Sequence, residues 1–173
     1  MEDISLEIGP RTFPLVEYLR KDLLPSDKIV YLEKRGVWAK ELKRAASPEV
    51  IQGNGATLPL KEGSVGTIFA KDLFGAHGYL SALPGAAMIE QIPQGMANEW
   101  FRVCQSGGYV IIIEIATPPN KKELERNFIS AGFRKKEEHL EQDVYSVLEI
   151  GDILKHPDDS LTRDAYSLVF QKP

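Results

Sequence analysis

The sequence predicts an α/β fold: a mostly parallel sheet sandwiched between helices, closed by an antiparallel strand pair. Strand-like apolar runs and helical stripes alternate five times along the chain, and parallel neighbours need such helical crossovers. The last two β-leaning stretches have no helix between them, which predicts the antiparallel close. A third observation places a site. Ile4-Ser-Leu-Glu-Ile-Gly-Pro10 reads as a strand entering a turn, and Ile29-Val-Tyr-Leu-Glu33 as a second strand ending in a carboxylate. A glycine bend and an acid then lie side by side at the carboxyl edge of the sheet, an arrangement that suits a nucleoside-containing cofactor.

Taken in order, residues 4 to 8 are the first strand. Thr12 and Pro14 can start a helix in which Leu15, Val16, Leu19 and Leu23 recur at helical spacing, broken by Pro25-Ser-Asp-Lys28. Val37, Leu42 and Ala45 form a second helical stripe after the strand 29–33, and it ends near Pro48. Glu49 to Gly53 is a short third strand and Val65 to Ala70 a fourth. Residues 71 to 86, with Gly75, Gly78, Pro84 and Gly85, have loop composition. A helix is expected from Ala87 to Cys104, with Pro93 setting its first part off as a turn or kink. Gly107-Gly108 stops it, and Tyr109 to Ile115 is the strongest strand. Lys121 to Ala131 is an amphipathic helix closed by Gly132. The chain after Phe133 is β-leaning, ending in Tyr166 to Phe170.

The 173 residues fit a single domain with a core of its own, and no repeat or linker marks a second unit. A net charge of -4 opposes general nucleic-acid binding, so Lys34, Arg35, Lys40, Lys43 and Arg44 read as a solvated helix face. Cys104 is the lone cysteine, which excludes an intrachain disulfide and a thiolate metal cluster. The three histidines share no ligand spacing with acids, and no metal site is expected. No secretory leader or membrane span is visible, so a cytoplasmic setting is expected.

Five segments, in this order, resemble the class I S-adenosylmethionine-dependent methyltransferases, and the resemblance covers nearly the whole chain. Leu6-Glu-Ile-Gly-Pro10 is similar to that family's first motif. Glu33 stands where the family places the acid that holds the ribose hydroxyls. Val50-Ile-Gln-Gly-Asn-Gly-Ala-Thr-Leu-Pro-Leu60 resembles the segment that contacts adenine. Trp100-Phe-Arg-Val-Cys-Gln-Ser-Gly-Gly-Tyr-Val-Ile111 is similar to the helix end and double-glycine turn before the fifth strand, and Ser130-Ala-Gly-Phe133 to the turn before the sixth. The resemblance implies a Rossmann-like three-layer sandwich with a seven-stranded sheet. It also implies S-adenosylmethionine as cofactor, held by Glu7, Gly9, Pro10, Glu33, Lys34, Asn54, Gly55, Ala56, Ala70 and Lys71. A carboxylate accepts strongly from a ribose diol, and an asparagine carbonyl can accept from an exocyclic amine. On bland readings Glu33 is a surface acid at a strand end and Gly53-Asn-Gly55 a tight turn.

The first glycine motif is degenerate. Arg11 and Phe13 stand where the family has small residues, Gly66 stands where members often carry an acid, and only Met1 to Asp3 precede the first strand, with no cover helix. Asp72 and His77, after the fourth strand, are the candidates for acceptor contact and proton removal, although Asp72 could equally cap a turn and His77 sit idle in a loop. Ala70-Lys-Asp-Leu73 lacks the proline-containing signature of the family's nucleobase- and glutamine-methylating branch. The leading expectation is methyl transfer to a small molecule. A non-catalytic methyltransferase-fold module is the alternative, with a homo-oligomer or partner subunit closing the open cofactor side. A nicotinamide-dependent reductase is a third reading, weakened because no glycine occupies the later fingerprint places.

Overall fold

In the computed structural model, residues 4–10, 15–23, 28–45, 49–71, 73–74, 86–115, 118–140, 143, 146–149 and 165–173 are described. Strands β1 (Ile4–Ile8), β2 (Ile29–Glu33), β3 (Val50–Gln52), β4 (Val65–Lys71), β5 (Cys104–Ile115), β6 (Arg134–Leu140) and β7 (Ala165–Gln171) form one sheet in the order β3-β2-β1-β4-β5-β7-β6. The pairs among β1 to β5 are parallel, and β7 lies antiparallel between β5 and β6. The chain reverses its direction of travel across the sheet between β1 and β4. Crevices at such a switch point, above the carboxyl ends of the strands, are where open α/β sheets bind ligands.

Alternate residues of each strand face opposite layers. Leu6, Ile8, Ile68, Val110, Ile112, Leu168 and Phe170 pack with Met96, Ala97 and Trp100 of α2 (Ala86–Val103) and Leu124 and Phe128 of α3 (Pro118–Ser130). Tyr31, Phe69, Ile111, Ile113 and Val169 pack on the other face. There they meet Ala39 and Leu42 of α1 (Gly36–Ala45), the segment Leu15 to Leu23, and Val147 with Leu148. The predicted three layers are therefore present, with the antiparallel close as expected.

Several boundaries differ from the expectation. The helix predicted over Leu15 to Leu23 reduces to a single 3₁₀ turn, Val16–Tyr18. Leu15, Val16, Leu19 and Leu23 are buried as their spacing implied, but by tertiary pairing. Leu19 bridges Leu148, Arg20 N–H donates to the Val147 carbonyl at 2.9 Å, and Glu149 N–H donates to that of Tyr18 at 2.6 Å. Bonds to a distant segment replace the local ones a helix would use. Val37 is not part of the apolar face of α1; it is 68% exposed, while Ala39 and Leu42 are buried. Helix α2 runs through Pro93 and ends at Val103, and α3 starts at Pro118 rather than Lys121.

The β5 strand begins at Cys104, before the expected Tyr109, because the double glycine lies within it. A Cβ on Gly108 would come 2.6 Å from the Gly66 carbonyl oxygen, so glycine at 108 permits a close approach of the two backbones. Gly132 ends α3 as expected, at φ +110, with Phe133 N–H donating back to the Phe128 carbonyl at 3.1 Å. Among the described residues no helix is long and apolar enough to cross a membrane. No group of three or more His, Cys, Asp or Glu among them could hold a metal ion.

Candidate cofactor site at the carboxyl edge

The bend after β1 and the acid ending β2 meet in space. Gly9 takes φ +70, a backbone conformation that glycine adopts without steric cost, and donates its N–H to the Leu32 carbonyl at 2.8 Å. Glu33 is the next residue. It is buried, its carboxylate accepts the Arg35 N–H at 2.9 Å, and its own carbonyl accepts the Gly53 N–H at 3.1 Å. Asn54 follows directly, so the ends of β1, β2 and β3 converge. Pro10 is buried beside Gly9, whereas Lys34 is exposed at the rim.

The loop after β3 is clamped from below by α2. Asn54 Oδ1 accepts the Ala56 N–H at 3.0 Å, and the Asn54 carbonyl accepts that of Thr57 at 3.0 Å, closing the predicted tight turn. Trp100 Nε1 donates to the Gly55 carbonyl at 2.9 Å. A Cβ on Gly55 would come 2.8 Å from Met96 Cε and 3.2 Å from Ile8 Cγ2, which gives this position its packing reason for glycine. Further along, Glu99 Oε1 accepts the Leu58 N–H at 2.7 Å, while Arg102 donates to the Leu58 and Leu60 carbonyls at 3.2 and 3.0 Å. Arg102 also bonds Glu99 itself at 2.7 Å, and this bond holds the Glu99 carboxyl below its usual range despite partial burial.

Two buried carboxylates anchor the remaining loops. Glu7 accepts the Leu15 and Val16 N–H groups at 2.9 and 3.0 Å, fixing the backbone beyond the first turn. Glu114, fully buried at the end of β5, accepts those of Leu73 and Phe74 at 2.7 and 2.8 Å through one oxygen. Phe74 then packs on Trp100, ring centroids 5.8 Å apart, so the loops after β3 and β4 share one indole. Ala70 is buried between Ile8 and Ile112, and Lys71 ends β4. Leu73 curls over the first turn: its Cδ1 would lie 3.2 Å from a Cβ at Gly9.

Of the expected site residues, Gly9, Pro10, Glu33, Lys34, Asn54, Gly55, Ala56, Ala70 and Lys71 thus border one edge of the sheet. Glu7 serves the same edge through the loop backbone it holds. Asp72 and His77 lie outside the described residues, as do Arg11 and Phe13. The sequence reading missed Glu99, Trp100, Arg102 and Glu114. Trp100 and Arg102 stood within a quoted motif, but nothing local told which carbonyls they would reach.

No protein-family model and no curated protein matches the sequence. Solved structures do match the fold. A methyltransferase dependent on S-adenosylmethionine, from Methanosarcina mazei, superposes with a TM-score of 0.67 at 13% identity, over 99% of this chain and 92% of that one. The chain has the class I methyltransferase fold. A chain of the Haloferax volcanii complex that contains the Trm112 methyltransferase activator gives a TM-score of 0.66 at 14% identity, covering 99% of this chain and 83% of its own. Geranyl diphosphate C-methyltransferase from Streptomyces coelicolor was solved with Mg2+, geranyl diphosphate and S-adenosyl-L-homocysteine. It gives a TM-score of 0.63 at 10% identity, over 99% and 74% of the two chains. In this methyltransferase fold, Gly9 follows the strand at the switch point, and Glu33 and Asn54 lie at the carboxyl ends of the next two strands outward from it.

Proposed function

We propose that this chain transfers a methyl group from S-adenosylmethionine to a small-molecule acceptor. The single observation that carries the reading is the bond from Gly9 to the Leu32 carbonyl, which sets the open bend of β1 against the buried Glu33 carboxylate. The residues present fit the cofactor: an anionic acceptor at a strand end for a diol, and an amide-bearing turn for an adenine edge. Glu33 would hold the ribose hydroxyls, Asn54 with Gly55 and Ala56 the adenine, and the turn at Gly9 and Pro10 the amino-acid portion. Lys34, Ala70 and Lys71 complete the walls. The bound cofactor supplies a methyl already activated by its sulfonium leaving group. Rate then comes mainly from alignment of the acceptor, with Asp72 or His77 as the group that takes a proton when an N–H or O–H must lose one.

One observation favours a second reading, a non-catalytic module that binds a partner. Leu73 lies over the Gly9 turn at the distance given above, where a bulky neighbour narrows the approach to the backbone. A partner subunit or second copy would then use the same open edge. Thermal melting with S-adenosylhomocysteine separates the two. At a hundred times Kd the ligand adds about 2.7 kcal/mol of stability, a clear rise in Tm. An unmoved Tm at millimolar ligand would leave the module in front.

A further inference from the structure

The cations of α1 stand together on a surface that the described fold leaves open. Five of the chain's 21 lysines and arginines fall between residues 34 and 44, against one acid, Glu41, in a chain of net charge -4. Lys34, Arg35, Lys40, Lys43 and Arg44 are all exposed. Ala39 and Leu42 turn inward to the sheet, so Val37, Lys40, Glu41 and Arg44, spaced i, i+3, i+4 and i+7, share the outward face. Lys40, Lys43 and Arg44 form no ion pair among the described residues, whereas Arg20, Lys28, Arg102, Lys121 and Lys135 each lie against a carboxylate. The helix alone does not call for this pattern. Lys43 and Arg44 suit its C-terminal end, but Lys34 and Arg35 stand at the N-terminal end, where acids are favoured, and the first turn carries none. Lys40 and Arg44 repel one another across one turn. Arg35 is also held in place, its guanidinium 4.4 Å from the centre of the Trp38 ring.

We infer that this face of α1 docks an acidic segment of a partner protein, with carboxylates on either side of an apolar or aromatic side chain. Charge complementarity supplies the attraction. Val37, the most exposed of the large apolar residues described, supplies an apolar contact between the cations at 34 and 35 and those at 40 and 44. A nucleic acid fits less well. It presents a phosphate at every step and no aliphatic side chain, and Glu41 within the stripe repels it. A long polyanion would also run onto the rest of the surface, whose net charge is negative. A short segment would not, because charges farther away than about 8–10 Å are screened at physiological salt. A bilayer would need an apolar helix face to insert, and that of α1 is turned to the sheet. Glu33 accepts the Arg35 N–H, so a partner seated here lies beside the edge proposed for the cofactor. The docking face does not depend on which reading of that edge holds.

The test uses the full chain and two variants, Lys40→Glu combined with Arg44→Glu, and Val37→Ser. These side chains are exposed and lie outside the proposed cofactor site, so the circular dichroism of both variants should match the parent. The probes are fluorescently labelled polymers: a random copolymer of glutamate and tyrosine, polyglutamate, and polyuridylate. Fluorescence anisotropy should show the copolymer binding most tightly, with an affinity that falls as salt is raised. The paired charge reversal should weaken it roughly tenfold. Val37→Ser should weaken the copolymer about fivefold and leave polyglutamate binding unchanged. Polyuridylate bound as tightly as the copolymer would make the face a nucleic-acid site and overturn the inference. Copolymer binding that survives the charge reversal would lie elsewhere and would overturn it too. An absence of copolymer binding at low salt, or an affinity that Val37→Ser leaves unchanged, would have the same consequence.

Discussion

Trp100 Nε1 lies 2.9 Å from the Gly55 carbonyl oxygen, and through it one helix holds the loop proposed to face adenine. The same indole carries Phe74 from the loop after β4 and Phe128 from α3, with centroids 5.8 and 5.5 Å away. Trp100→Phe keeps an aromatic ring but leaves the Gly55 carbonyl without its donor. A loss of about 2 kcal/mol in urea denaturation is expected, because a buried carbonyl deprived of its partner costs on the order of 1–3 kcal/mol. Affinity for S-adenosylhomocysteine should fall in the same variant. Full stability would mean that the indole bond does not hold the loop.

Glu33→Gln removes the charge at the proposed ribose contact while preserving shape. Hydrogen bonds to a charged group contribute about 1.5–3 kcal/mol, so calorimetric affinity for S-adenosylhomocysteine should drop between roughly ten- and a hundredfold. An unchanged Kd would take Glu33 out of the site.

Glu114→Ala strands two backbone donors, Leu73 and Phe74, in the interior. At about 1–3 kcal/mol for each unsatisfied group, chemical denaturation should show a loss of at least about 2 kcal/mol. Glu114→Gln keeps an acceptor oxygen and should recover part of it. Equal stability of the alanine and glutamine variants would argue against a loop anchored through this side chain.

The Glu99 carboxyl is held below its usual range chiefly by its bond to Arg102, against the opposing effect of burial and with help from the Leu58 N–H. A carboxylate with a depressed pKa in the fold binds its proton less readily there than in the unfolded chain. Its stabilising effect is therefore complete above the ordinary value near 4.5 and is lost as pH falls through the lower, folded value. Glu137, tied to Arg20 and His139, and Glu138, tied to Lys121 and Lys135, act in the same direction. Melting curves should show Tm falling from about pH 4.5 downward. Glu99→Gln should be less stable than the parent at neutral pH and should flatten that acid slope; an identical slope would exclude the clamp as a contributor.

Burial pushes the Cys104 thiol up to about 12, with the nearby Lys172 ammonium only partly offsetting it. The thiolate, which is the reactive form, is then scarce in the native protein. A thiol reagent at pH 8 should label Cys104 only as fast as the chain opens, and urea should raise the rate sharply. Rapid labelling under native conditions would contradict the described packing of β5.

The proposed cofactor edge was the most legible part of the molecule. Gly9 and Glu33 could be paired from sequence because the strand–turn–strand order puts their strand ends next to each other whatever the details of packing. The Gly107-Gly108 pair stood out too, but as a helix stop before the fifth strand; it lies within β5, where the Gly66 carbonyl comes close to Gly108. The segment Leu15 to Leu23 misled for the opposite cause. Its apolar spacing reported burial, and burial is compatible with a helix or with an extended strip fastened by Glu7 on one side and by Val147 to Glu149 on the other.

By itself the sequence determined the alternation of strands and helices, the antiparallel close, and the presence of a glycine bend and an acid at neighbouring strand ends. Those follow from periodicity and chain connectivity, which are local properties. Tertiary structure alone decided that Glu114 holds the loop after β4 and that Trp100 and Arg102 hold the loop after β3. Each of those joins residues far apart in the chain, and a polar side chain's partner is set by which backbone groups the finished sheet and its helices leave within a hydrogen bond's reach.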